Sequence, residues 1–135
     1  MIRNFLCACF LLLVSVASAQ NDTQPKNDTT IYQFVEQRAE YAAGNEAMYT
    51  DLMKSLAYPV SCKDSTCSEN MFVIQFIVEK DGSLSHIQLT KGFTCCKQMN
   101  DQVLRFFRKS PKWKPAMHKG VAVRSKMSMP VNVDM

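Results

Sequence analysis

Between residues 72 and 90 the chain alternates apolar and polar positions on both sides of Lys80-Asp81-Gly82-Ser83. Period-two alternation puts successive side chains on opposite faces of a strand. Asp-Gly between two such runs predicts a β-hairpin, because a two-residue type I′ loop requires positive φ at both central positions. With Asp81 and Gly82 as that loop, Lys80 faces Ser83 and paired residue numbers sum to 163. Phe72, Ile74, Phe76 and Val78 then share a face with Ser85, Ile87 and Leu89. Two strands alone are marginal in water, so the flanking segments must complete the core.

Residues 45–56 carry Ala47 or Met48, Leu52, Met53 and Leu56 at helical spacing. Gly44 or Asn45 suits the N-cap, Glu46 suits the first turn, and Tyr58-Pro59 ends the helix because the residue before proline avoids helical ψ. A second helix is predicted over residues 95–109, with Thr94 as N-cap. Met99, Val103, Phe106 and Phe107 form its buried side, and Pro111 stops it. The stretch from Ser110 to Pro115 reads as a rigid corner, with Trp113 filling the core and its indole N–H bonded to backbone. Val121, Val123, Ser125, Met127 and Met129 alternate along a third strand over residues 121–133, which Pro130 marks as a sheet edge. Residues 31–39 form an extended or short helical lead-in. The expected fold is α+β: a three-stranded antiparallel sheet packed on two helices, in the order helix, strand, strand, helix, strand.

Residues 1–19 read as a cleaved signal peptide, with Arg3 in a positive n-region, an apolar run from Phe5 to Val16, and Ala17-Ser18-Ala19 before the cleavage point. An uncleaved anchor is the alternative. Residues 20–33 form a polar, disordered leader, and residues 34–133 a single domain. The expected location is the periplasm. Export brings an oxidising compartment and favours disulfides among Cys62, Cys67, Cys95 and Cys96. Extending the hairpin register outward pairs Cys67 with Cys96, so one or two bridges between the two cysteine pairs are expected. Cys62–Cys67 with a vicinal Cys95–Cys96 bond is the other connectivity. A zinc site fits poorly, because adjacent cysteines point apart and the spacing is unlike paired C-x2-C.

Charge is uneven. Residues 20–90 hold ten acids and five bases, whereas residues 91–126 hold ten bases against Asp101 alone. Arg105, Arg108, Lys109, Lys112 and Lys114 define a basic face that either meets an acidic partner or is simply solvated. The aromatics of this region fall on the buried stripe, which argues against nucleic-acid binding. His86 and His118 read as surface residues, and no acidic pair, Cys-x-x-Cys or phosphate loop is present. Met117, Met127, Met129 and Met135 either line an adaptable surface or fill the core. Neither catalysis nor a cofactor is expected. The terminal strand is the candidate binding element, because an edge strand can add an extended peptide from a partner. The same edge allows a strand-paired homodimer.

The chain resembles the C-terminal domain of TonB, the energy transducer of Gram-negative bacteria, in its Bacteroidota form. The resemblance rests on Tyr58-Pro59, the Lys80-Asp81-Gly82 turn within its hairpin, Val103-Leu104-Arg105, Pro111-Lys112-Trp113-Lys114-Pro115, Gly120-Val121-Ala122-Val123 and Met129-Pro130-Val131. It implies the same element order. It also implies binding of TonB-box peptides of outer-membrane receptors at the last strand, here Val121, Ala122, Val123, Arg124, Ser125, Lys126, Met127, Ser128 and Met129, and contact with peptidoglycan. The leader spans at most about 35 Å at about 3.5 Å per residue, too short to cross a periplasm. Energy transduction by this chain alone is therefore not implied, and an envelope glycan-binding or structural accessory domain is the alternative.

Overall fold

The structure, a computed structural model, describes residues 29–62 and 68–133. The expected signal peptide, most of the leader and Cys67 lie outside the described residues. The domain is α+β, with a mixed five-stranded sheet and two helices. Its elements are β1 (Ile31–Tyr32), α1 (Asn45–Ser55), β2 (Met71–Val78), β3 (Leu84–Lys91), α2 (Lys97–Arg108), β4 (Ala116–His118) and β5 (Val121–Asn132). The main sheet runs β1-β5-β2-β3, and β4 pairs with β5. Two short strands thus extend the three that alternation predicts. Neither is long enough for a periodic signal, and β1 makes the sheet mixed by running parallel to β5.

The hairpin from β2 to β3 forms, but not with a two-residue loop. Gly82 N donates to Glu79 O (2.9 Å) and Glu79 N donates to Ser83 O (2.8 Å), so Lys80, Asp81 and Gly82 make the loop. Gly82 has φ 85, and Asp81 is not among the positive-φ residues. The Asp81 carboxylate accepts hydrogen bonds from Ser83 N (2.9 Å) and Ser83 Oγ (2.6 Å), which holds a type I turn and leaves the left-handed position to glycine. The two-residue loop with both positions left-handed occurs instead at Lys119 (φ 50) and Gly120 (φ 74), joining β4 to β5.

The longer loop shifts the register. Val78 faces Leu84 and Ile77 faces Ser85, one step from the expected pairing; Gln75 faces Gln88 and Ile74 faces Leu89, as expected. The step is absorbed by a bulge containing His86, whose φ of 50 is unusual for a residue with a Cβ. Ser85 therefore lies opposite Ile77 on the outer face, while Ile87 and Leu89 still pack against the core.

One apolar cluster joins the sheet to both helices. Phe72, Ile74, Phe76 and Val78 supply its centre, Met48 and Leu52 come from α1, and Met99, Val103 and Phe107 from α2. Phe106 is half-buried rather than buried, edge-on to Phe107 at 5.2 Å. The cap of α1 is Gly44, and that of α2 is Cys96 rather than Thr94. Thr94 is instead held by Glu69, whose carboxylate accepts from Thr94 N (2.6 Å) and Thr94 Oγ1 (2.8 Å). Cys96 is fixed by a disulfide to Cys62, with a Cα–Cα distance of 5.5 Å and a sequence separation of 34. Closing such a loop contributes about 2–4 kcal/mol.

Trp113 is buried against Phe76 and Tyr41, with ring centroids at 5.1 and 5.6 Å. Its indole N–H donates to Ser110 Oγ (2.8 Å), a side chain rather than the expected backbone. Trp113 N also donates to Gly82 O (2.8 Å), so the corner docks on the hairpin loop. A Cβ at Gly82 would lie 2.1 Å from Trp113 O. Gly82→Ala is therefore expected to destabilise the domain by about 3 kcal/mol in urea unfolding. Ser125 is buried within the sheet at 2% exposure, and among the described residues its hydroxyl has no hydrogen-bond partner. Ser125→Ala should raise stability by about 1 kcal/mol, seen as a higher Tm.

Candidate functional site

The residues of the predicted terminal strand fall into three environments along β5. Val121, Ala122 and Val123 pair with His118, Met117 and Ala116 of β4. Arg124 and Ser125 pair with Ile31 and Tyr32 of β1. Beyond them, residues 126–132 pair with β2 on one side and, among the described residues, with no strand on the other. Among the described residues, the edge of β5 opposite β2 is thus paired by a strand only at Arg124 and Ser125. A β2 strand on one side and the short β1 on the other make the middle of β5 interior.

The direction of the open backbone groups follows from one bond. Val133 N donates to Asn70 O (2.7 Å), so the odd-numbered residues of β5 point their amide groups at β2. Even-numbered residues point to the opposite edge. Ser128 thus offers its N–H and C=O outward, and Pro130, which has no N–H, sits where a donor to β2 is not needed. Beside this edge lies a groove of about 330 Å³, lined by Arg38, Asn45 and Tyr49 opposite Met127, Met129 and Pro130. Met127 is buried and Met129 half-buried on the core face, while Lys126, Ser128 and Pro130 are exposed. A strand added here would send alternate side chains into the groove and onto the outer face.

Glu79 and Arg124 anchor the start of this edge. Arg124 Nε lies 2.6 Å from Glu79 Oε2, and Nη2 lies 3.1 Å from Oε1. Ser85 Oγ donates to the same carboxylate (2.6 Å), and Arg124 Nη1 donates to Thr29 O (2.7 Å), tying the entry of β1 to β5. The Arg124 hydrogen bonds, aided by Ser85, hold the Glu79 carboxyl below the ordinary glutamate value, and Glu79 in turn raises Arg124. These residues lie 45 positions apart, and no local pattern in the sequence links them.

The other open edge of the sheet is β3. Its His86 bulge breaks the ladder, a device that discourages strand addition. His86 itself is exposed, 3.1 Å from Ser85 Oγ. His118 is half-buried, and its ring stands 5.3 Å from that of Tyr32. No group of His, Cys, Asp and Glu able to hold a metal ion occurs among the described residues. No helix among them is long and apolar enough to cross a membrane.

The five bases of the predicted face have different neighbours. Lys112 lies 3.8 Å from Asp81 at the hairpin loop. Lys114 is exposed, and its backbone forms a two-way bridge with Glu40. Arg108 is exposed in the last turn of α2. Arg105 and Lys109, one helical turn apart, line a common cleft, of about 680 Å³. Family models, curated proteins and solved structures offer no match to this chain.

The linkage sign for Glu79 is that of a depressed carboxyl. Its contribution is present above the unfolded value of 4.5 and is lost as pH falls through the lower folded value. Glu79→Gln should therefore lower Tm at about pH 7, and the gap to the parent protein should close by about pH 3.

Proposed function

We propose that this chain is an exported, periplasmic interaction domain of the TonB C-terminal type, which binds an extended peptide by strand addition at the open part of β5. The peptide class is a TonB-box-like segment of an outer-membrane receptor or a similar extended segment of another envelope protein. The observation that carries the reading is the outward edge of residues 128–132, which no strand pairs among the described residues, beside the groove of Arg38, Tyr49, Met127 and Met129. Main-chain pairing at such an edge supplies affinity tolerant of sequence, and the groove selects alternate side chains. β1 already lies along the same edge of β5 for two residues and then departs, so an added strand would continue its line. The motif residues support the family reading in a second way. The Lys80-Asp81-Gly82 loop and the Trp113 corner, far apart in sequence, meet in one contact.

Ser128→Pro tests the reading. It deletes an outward N–H and leaves the ladder to β2 intact, as Pro130 does in the same phase two residues on. Binding of receptor N-terminal peptides, measured by calorimetry, should fall at least about tenfold, with near-ultraviolet circular dichroism unchanged. Unchanged affinity in a folded Ser128→Pro protein would remove β5 as the site. Binding that is insensitive to this change but lost with salt would favour an envelope-glycan or structural accessory role.

A further inference from the structure

The cleft on the helical side of the molecule is separate from the β5 edge and is built from α2 and the segment after α1. One wall is α2, with Arg105, Phe106 and Lys109; the other is the segment after α1, with Ala57 and Pro59, and Pro111 closes one end. Its volume of about 680 Å³ falls within the range of about 300–1,000 Å³ of ligand-binding clefts. Arg105 and Lys109 are exposed, and neither side chain has a hydrogen bond or ion pair among the described residues. Asp101 is the one acid on the lining and leaves it net positive. Both bases sit near the C-terminus of α2, where cations complement the helix dipole. That role does not account for Phe106 and the two prolines that line the same cleft.

The walls are tied together before any ligand arrives. Gln102 of α2 clasps Ala57 with both ends of its carboxamide: Ala57 N donates to Oε1 (2.7 Å) and Nε2 donates to Ala57 O (2.8 Å). The disulfide from Cys62 to Cys96 joins the same two segments again, at the start of α2. Tyr58 between them donates its hydroxyl to Cys62 O (2.7 Å). A cleft held open in this way loses little freedom on binding.

We infer that this cleft is a second peptide site, for an extended segment with two carboxylates two residues apart and an adjoining apolar side chain. The spacing is the reason. Side chains at i and i+4 of a helix stand about 5–6 Å apart. Residues i and i+2 of an extended strand face the same way about 6.6 Å apart. Two acids at i and i+2 thus meet Arg105 and Lys109 together, whereas adjacent acids point to opposite sides. The apolar side chain lies on Phe106 between Pro59 and Pro111. Charge and apolar surface are then both satisfied by one short, acidic segment of a partner protein.

The test uses the full chain with its disulfides formed and two fluorescent, end-blocked pentapeptides of equal charge. Leu-Ser-Glu-Ser-Glu has spaced acids; Leu-Ser-Ser-Glu-Glu has adjacent ones. Anisotropy titrations should show the spaced peptide binding more tightly. Arg105→Gln and Lys109→Gln should each weaken it about fivefold, the upper range for a partly exposed charge contact. Arg108→Gln, outside the cleft, and Ser128→Pro, on the β5 edge, should leave it unchanged. No binding, equal binding of the two peptides, or an equal effect of Arg108→Gln would overturn the inference. Loss of binding in Ser128→Pro would place the peptide on β5 and overturn it as well.

Discussion

The contact between Gly82 and Trp113 is the constraint on which the rest of the domain depends. The hairpin loop can approach the corner only because Gly82 has no Cβ to meet the Trp113 carbonyl. The approach lets Trp113 N bond Gly82 O and seats the indole between Phe76 and Tyr41. Lys114, next along the chain, bridges to Glu40, and Met117 bridges to Gln37. The corner thus gathers the hairpin, the lead-in before α1 and the start of β4 at one place. From there the chain turns through Lys119-Gly120 into β5, whose position between β1 and β2 follows from where the corner releases it.

The sheet manages its two open edges differently. On β3, a left-handed His86 bulges the ladder to β2. On β5, the edge is paired for two residues by β1 and punctuated by Pro130 near its end. What stays open is short and borders a groove, which is what a site needs and a sticky edge lacks. The Arg124–Glu79 pair holds this boundary by fastening the entry of β1. The β5 edge and the cleft on α2 lie on different elements.

The helices are secured by side-chain amides and a disulfide more than by conventional caps. Neither helix has a side-chain N-cap bond. Asn100 clasps both backbone groups of Phe93, and Gln102 clasps both of Ala57. These bonds imitate a strand pair, and they bring irregular segments against α2 at fixed distance. Fixing the segments in this way preserves the cleft.

Several elements were legible in the sequence alone. Period-two alternation placed Phe72, Ile74, Phe76 and Val78 on one buried face, and period 3.6 placed Met48 with Leu52 and Met99 with Val103 and Phe107 on the buried sides of two helices. Burial of a stripe is a local demand, so it leaves a local trace. Other features left none. The three-residue loop and its compensating bulge decided the face of Ser85, and that choice rests on Asp81 side-chain bonds and on the space available to Gly82. A bridge between the two cysteine pairs was legible, but its assignment to Cys62 and Cys96 depended on where the segment after α1 meets α2. The two-residue strand β1, the Glu79–Arg124 pair and the division of the basic residues between cleft and loop were likewise decided by tertiary contact. Each joins residues distant in the chain, and distance in the chain carries no periodic signal, so only packing could choose among them.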